Sequence, residues 1–342
     1  MKRILTILLF ILTGLSSYAQ EEAIDSLVYL GVQMFDKGYY EKAIEYYEQA
    51  LEIDSNSALV FSEISMAYMY NQEYEKALEY SKKVLDMNGD YMLEAYITYG
   101  SCLDNAEQTE ESIAIFNQAI EEGYSHYLLH YNLALNYYKL NDYESAEEQL
   151  VSSITLNPSH SSSHFLLGVT KYDQGEKAKS LLSLYYFLLM EPSTSRSKMA
   201  MEMLTEQFYG SVKLDEEDPN SINIFLNPNM DDDEFAAAEI MLAMLAATNT
   251  LEENKGRSDV DLFVENTASF FQTIEELKPK PKKAKGIYWE MYVPFFGELA
   301  GTNHVEAYAY YILQSVNQEA NEWLDIHGAK VYALDAWLQG EE

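Results

Sequence analysis

The sequence is poor in three things. It has a single cysteine, Cys102, so no internal disulfide can form and the fold must stand on packing alone. It is poor in cations: 22 Lys+Arg stand against 56 Asp+Glu, a net charge of 22 − 56 = −34. Nucleic acid and anionic membrane surfaces would be repelled by such a chain, which excludes them as partners. The surplus acids read as solvated helix faces. It also lacks the patterns of common chemistries. There is no glycine-rich phosphate loop and no nucleophile elbow, and His304-Val305-Glu306 does not have the helical zinc-protease spacing. Glu290, Glu298, His304 and Glu306 come nearest to a reactive set, but only a fold could bring them together. No catalytic residue, cofactor or metal is therefore expected, and the chain is not read as an enzyme.

Long apolar runs are scarce as well. One stands at the start, where Lys2-Arg3 precede Ile4 to Leu15 and the small exit Ser17-Tyr18-Ala19. This pattern predicts a signal peptide over residues 1–19, a mature chain beginning at Gln20, and export to the periplasm or the outer-membrane face of a bacterium. Cys102 lies far from that cleavage point, so no lipid anchor is read, and inside a repeat helix it reads as a small buried hydrophobe. The other run, Phe235 to Ala247, is interrupted by Glu239 and too short to cross a bilayer. No membrane span is expected in the mature chain.

What the sequence does have is repetition. Ala43, Ala77, Ser112, Ala146 and Ser180 follow one another at intervals of 34, 35, 34 and 34 residues. Twelve positions before each lies another small residue, Gly31, Ser65, Gly100, Ala134 and Gly168, preceded by Leu30, Ile64, Tyr99, Leu133 and Leu167. Small side chains at both places let two helices of a hairpin approach closely. Four positions after the first set come Tyr47, Ser81, Phe116, Leu150 and Leu184, mostly bulky and expected to fill the space toward the next hairpin. Asn157-Pro158 and Glu191-Pro192 end two of the second helices, with Ser55, Gly89 and Tyr124 in their place in the others.

In these positions the chain resembles the tetratricopeptide repeat (TPR) family over residues 24–194, in five units: 24–57, 58–92, 93–126, 127–160 and 161–194. The resemblance implies an all-α fold, a right-handed superhelix of about five repeats, followed here by a helical C-terminal domain. It also implies a concave face, made by the first helix of each unit, that binds extended or helical peptides. The family's groove positions fall on Val28, Val32, Phe35, Met66, Met69, Tyr70, Tyr131, Leu135, Tyr138, Lys139, Phe165 and Tyr172. Lys139 is the lone basic residue among them, so the family's carboxylate clamp is not expected. Apolar or tyrosine-anchored recognition is expected instead, with inward packing of some of these side chains as the competing reading.

Two histidine pairs, His126/His130 and His160/His164, have i, i+4 spacing and stand 34 residues apart. Such a pair can bind zinc or sense pH. Each straddles a predicted helix start, however, and repeat inheritance with polar packing is the favoured reading.

Beyond unit five, Ser195 to Val212 reads as a capping helix, 213–231 as a linker, and 232–342 as four or five helices. Ile222 to Leu226 could be extended but has no evident partner strand. Asp231 to Asp233 read as helix-capping acids. Five lysines between Lys278 and Lys285 read as a solvated loop, and Pro294 should kink or divide the aromatic segment Tyr288 to Phe296. The expected function is that of an adaptor or scaffold recognising an apolar, aromatic-bearing segment of another cell-envelope protein. The alternative is a C-terminal enzyme or ligand-binding domain served by the repeats.

Overall fold

The structure, a computed structural model, describes residues 20–210, 212–214, 222–224, 234–249, 256–278 and 285–341, the two three-residue strands by backbone alone. The predicted signal peptide, Asp231 to Asp233 and the middle of the lysine loop lie outside the described residues, as does most of the expected linker. Among the described residues no helix is long and apolar enough to cross a membrane.

Among the described residues the chain is all-α apart from one short ladder. Helices α1 (residues 20–36) and α2 (Tyr40–Ile53) form a hairpin, followed by α3 (Ala58–Tyr70) with α4 (Tyr74–Met87) and α5 (Met92–Asn105) with α6 (Thr109–Glu121). Then come α7 (Tyr127–Lys139), α8 (Tyr143–Leu156), α9 (Ser161–Gln174), α10 (Lys177–Met190) and α11 (Ser195–Tyr209). By packing, the helices group into two compact units, one ending at Asp142 and the other beginning at Tyr143.

The small residues do what their spacing requires. A Cβ on Gly31 would lie 2.4 Å from the Tyr47 ring, one on Gly100 2.5 Å from Phe116, and one on Gly168 2.6 Å from Leu184 Cδ2. Tyr47, Phe116 and Leu184 therefore fill their own hairpin, whereas their spacing alone assigns them to the space beyond it; Tyr47 also reaches onward, its hydroxyl donating to Glu63 at 3.2 Å. Where serine replaces alanine at the second-helix position, it bonds back across the crossing: Ser112 Oγ donates to Gly100 O at 2.7 Å and Ser180 Oγ to Gly168 O at 2.8 Å. Gly168→Ala should cost about 2 kcal/mol net of alanine's better helix propensity, because the new Cβ would also sit 3.3 Å from the backbone nitrogen of Leu184, which cannot swing aside. Gly89→Ala, whose Cβ meets nothing closer than 4.0 Å, should be silent; chemical denaturation of the two variants side by side checks this.

The turns inside the hairpins carry a second repeat. Gly38, Gln72, Glu107, Asn141 and Gly175 all have φ between 59° and 77°. Three of the five are not glycine, so this left-handed position escapes a search for glycine alone.

In the second unit α10 is buried along almost its whole length. Three elements of the C-terminal region bring their backbones close to it: α12 (Ala236–Asn249), a π-helical turn (Tyr288–Tyr292) and α15 (Val305–Leu313). Around them stand α13 (Asp259–Glu276), α14 (Val293–Ala300), α16 (Gln318–Ile326) and α17 (Gly328–Leu338). Pro294 sits in the first turn of α14, where the segment changes from π to α geometry; Tyr292 and Val293 before it are already helical, so the helix is divided in its hydrogen-bond pattern. Helix α11 opens with a capping box between Thr194 and Ser197 and ends at Tyr209, short of the expected Val212. Val212–Leu214 (β1) instead pairs antiparallel with Ile222–Ile224 (β2), the partner that the sequence did not reveal.

Candidate functional site

In the first unit the helices α3, α5 and α7 open onto a cleft of about 390 Å³. Its walls include Met69, Tyr70, Leu135 and Phe116 on the apolar side and Gln72, Ser101, Asp104, Asn105, Asn132 and Asn136 on the polar side. Of the expected groove residues the fold thus brings Met69, Tyr70 and Leu135 together. Phe35, Tyr40 and Tyr70 form an aromatic cluster, with ring centroids 5.1 to 5.5 Å apart and Tyr70 half exposed. Val28, Phe35 and Met69 also lean on the core, so inward packing accounts for part of the set. Val32, Met66, Tyr131 and Tyr138 are half-buried on the same helices. Phe165 and Tyr172 belong to the second unit. There Phe165 packs on Phe187 at 4.9 Å and Tyr172 donates to Glu206 at 2.6 Å, which raises the Tyr172 hydroxyl to about 12.

The polar wall is internally ordered. Lys139 Nζ is held 2.6 Å from Asp104 Oδ2, and Thr109 Oγ1 donates to the other carboxylate oxygen at 3.3 Å. The one cation among the groove positions is thus already paired. Asn132 Nδ2 donates to Ser101 Oγ at 3.3 Å, and Asn136 Nδ2 to Ser112 Oγ at 2.7 Å. Each amide spends a donor on the protein and still carries a carbonyl oxygen. Sequence reasoning missed Asp104, Asn132 and Asn136; the available signal was two asparagines four residues apart on a helix face otherwise apolar.

The histidines divide by position. His126 is the N-cap of α7, its Nδ1 accepting from Leu128 N, and His160 stands at the start of α9 with Nδ1 2.8 Å from Ser163 Oγ. His164 is fully buried. Its Nε2 donates to Pro158 O at 2.9 Å, leaving Nδ1 to accept from Tyr292 OH at 2.6 Å. Among the described residues no group of three His, Cys, Asp or Glu side chains could hold a metal ion. Burial holds His164 down at about 4. The neutral ring is therefore favoured by folding, and the benefit is complete above its ordinary value of 6.5 and lost as pH falls toward 4. The wild-type protein should lose about 3 kcal/mol more between pH 7 and pH 4 than His164→Gln does. Urea titrations of both at the two pH values give that difference directly.

Near α14 and α15 the other reactive side chains go separate ways. Glu290 and Glu298 are exposed, Glu306 is ion-paired with Lys330, and His304 lies beside Trp337. Cys102 is buried and its thiol is pushed up to about 12, which makes it an inert core residue.

Tetratricopeptide repeat family models match residues 24–57, 60–91, 93–122 and 131–188. No curated protein matches the chain. Among solved structures, the TPR protein TTC0263 of Thermus thermophilus is 18% identical, at a TM-score of 0.48, covering 54% of this chain and 100% of its own. The type IV pilus biogenesis factor PilW is 19% identical at 0.48, covering 53% and 86%. Pseudomonas aeruginosa pilF is 20% identical at 0.48, covering 59% and 95%. At such scores these likenesses add nothing to what the repeat matches and the hairpin geometry establish. Small residues at the helix crossings, left-handed turns at the same period and family models matching between residues 24 and 188 together show that this chain carries tetratricopeptide repeats.

Proposed function

We propose that the protein is an exported adaptor that holds an apolar, aromatic-bearing segment of another cell-envelope protein in the cleft of its first unit. The observation that carries this reading is the pairing of two walls. Met69, Tyr70 and Leu135 offer adaptable and rigid apolar contact, and amides lining the same cleft, among them Asn105 and Asn132, offer hydrogen bonds to a peptide backbone. With Lys139 neutralised by Asp104, a terminal carboxylate has no cation to find there. Export rests on the N-terminal pattern of residues 1–19. No catalysis is assigned, because the four reactive side chains of the C-terminal region have separate surroundings.

Peptides selected from a random library against the full chain should be rich in aromatic and aliphatic residues. They should bind Leu135→Glu and the milder Tyr70→Ser roughly tenfold or more weakly, with melting temperatures confirming that both variants fold. Equal affinity for wild type and both variants would remove the cleft from the account.

A further inference from the structure

The largest cleft among those described lies in the second unit, far in sequence from the one above. It holds about 1010 Å³ between α15, α16, α17 and the end of α10. Leu189, Leu324, Val331, Leu334 and Leu338 give it an apolar floor, and Tyr332, 71% exposed, stands at its edge. Solvent-exposed apolar side chains beside an apolar cavity mark a surface that meets something.

Its polar groups say what kind of thing. The lining includes Asp325 and Asp335, both exposed, and no lysine, arginine or histidine among the described residues. Two amides also line it, and most of their N–H groups are engaged: Gln314 Nε2 donates to Tyr311 O at 2.6 Å and keeps one N–H, while Asn321 Nδ2 donates to Gln314 O and Asn317 O at 3.1 Å each. What remains to a ligand is two carboxylates, one of them already accepting from Gln339 Nε2 at 2.9 Å, the amide oxygens and the Tyr311 and Tyr332 hydroxyls, a set whose only formal charges are negative. A second copy of a chain with net charge −34 would bring more acids to it. An amphipathic helix carrying lysine or arginine beside leucine-like residues would satisfy floor and rim together.

We propose that this cleft is a docking site for a basic amphipathic helix of a partner protein. The site is separate from the cleft of the first unit, and neither depends on the other. The probe is a synthetic helix of leucine and lysine, compared with a leucine–glutamate version and a lysine–serine version, each titrated against the full chain. The leucine–lysine helix should bind, and both Tyr332→Ser and the double variant Asp325→Asn/Asp335→Asn should weaken it roughly tenfold. Leu135→Glu in the first unit, and Glu110→Gln/Glu111→Gln on the exposed start of α6, should leave it unchanged. Three kinds of result would each overturn the proposal. One is equal binding of the lysine–serine helix, or equal weakening by Glu110→Gln/Glu111→Gln, which means diffuse attraction to the net charge. Another is equal binding of the leucine–glutamate helix. The third is concentration-dependent self-association abolished by Tyr332→Ser, which means that a second copy fills the cleft.

Discussion

Tyr185→Ala should be the most damaging single change in the second unit, costing about 4 kcal/mol. Tyr185 lies on α10, in the fifth repeat, and is wholly buried. Its ring centroid is 5.0 Å from that of Phe271, 6.0 Å from Phe296, and 6.2 Å from those of Phe270 and Tyr308. Its hydroxyl meets Thr267 Oγ1 at 2.8 Å, and its backbone oxygen accepts from Tyr308 OH at 2.8 Å. Truncation would open a cavity at the point where the repeat and the C-terminal helices share one core, so it would lose both transfer energy and packing. Tyr185→Phe keeps the ring and orphans only Thr267, and should cost about 1 kcal/mol. Denaturant titration gives both numbers, and amide exchange in the alanine variant should accelerate in α13 and α15.

Lys171→Ala should cost about 3 kcal/mol. Lys171 is 1% exposed on α9, ion-paired with Glu147 and held 3.0 Å from Glu176 Oε1, while Lys179 pairs with Glu176 at 2.7 Å. Removing the inner cation leaves two half-buried carboxylates facing each other with one remaining partner. Burial pushes Glu176 up, but Lys179 and Lys171 together overcome it and hold the carboxyl below its ordinary value. Without Lys171 that hold weakens, so the penalty should shrink as pH falls and the carboxylates can become neutral. A gap between wild type and Lys171→Ala that is narrower at pH 4 than at pH 7 identifies charge as the cause. A gap that stays constant identifies lost packing.

These two residues also mark how far the sequence could be read. The repeat was legible because its constraint is steric and periodic: Gly31, Gly100 and Gly168 are kept small by the Tyr47, Phe116 and Leu184 side chains that cross them. The left-handed turns were less legible, because Gln72, Glu107 and Asn141 tolerate a conformation that glycine would have advertised. In the cleft, Met69, Tyr70 and Leu135 could be placed from the repeat register, but their partners Asn132 and Asn136 required the packing of α7 against its neighbours. The C-terminal region has no period to read. That Tyr185 is a hub and that Tyr292 meets His164 depends on contacts more than eighty residues apart in the chain, which local pattern cannot encode. The β1–β2 ladder escaped for the same reason, since each strand is too short to announce itself.

The central claim, that the first unit receives a peptide between α3, α5 and α7, is tested most directly by methyl NMR of the full chain labelled at methionine. A selected peptide is titrated in, and the Met69 and Met201 signals are assigned by their leucine variants. Met69 lines the cleft and should shift in step with binding, while Met201, buried in α11 of the second unit, should stay still. A peptide that binds while the Met69 signal does not move would contradict the account.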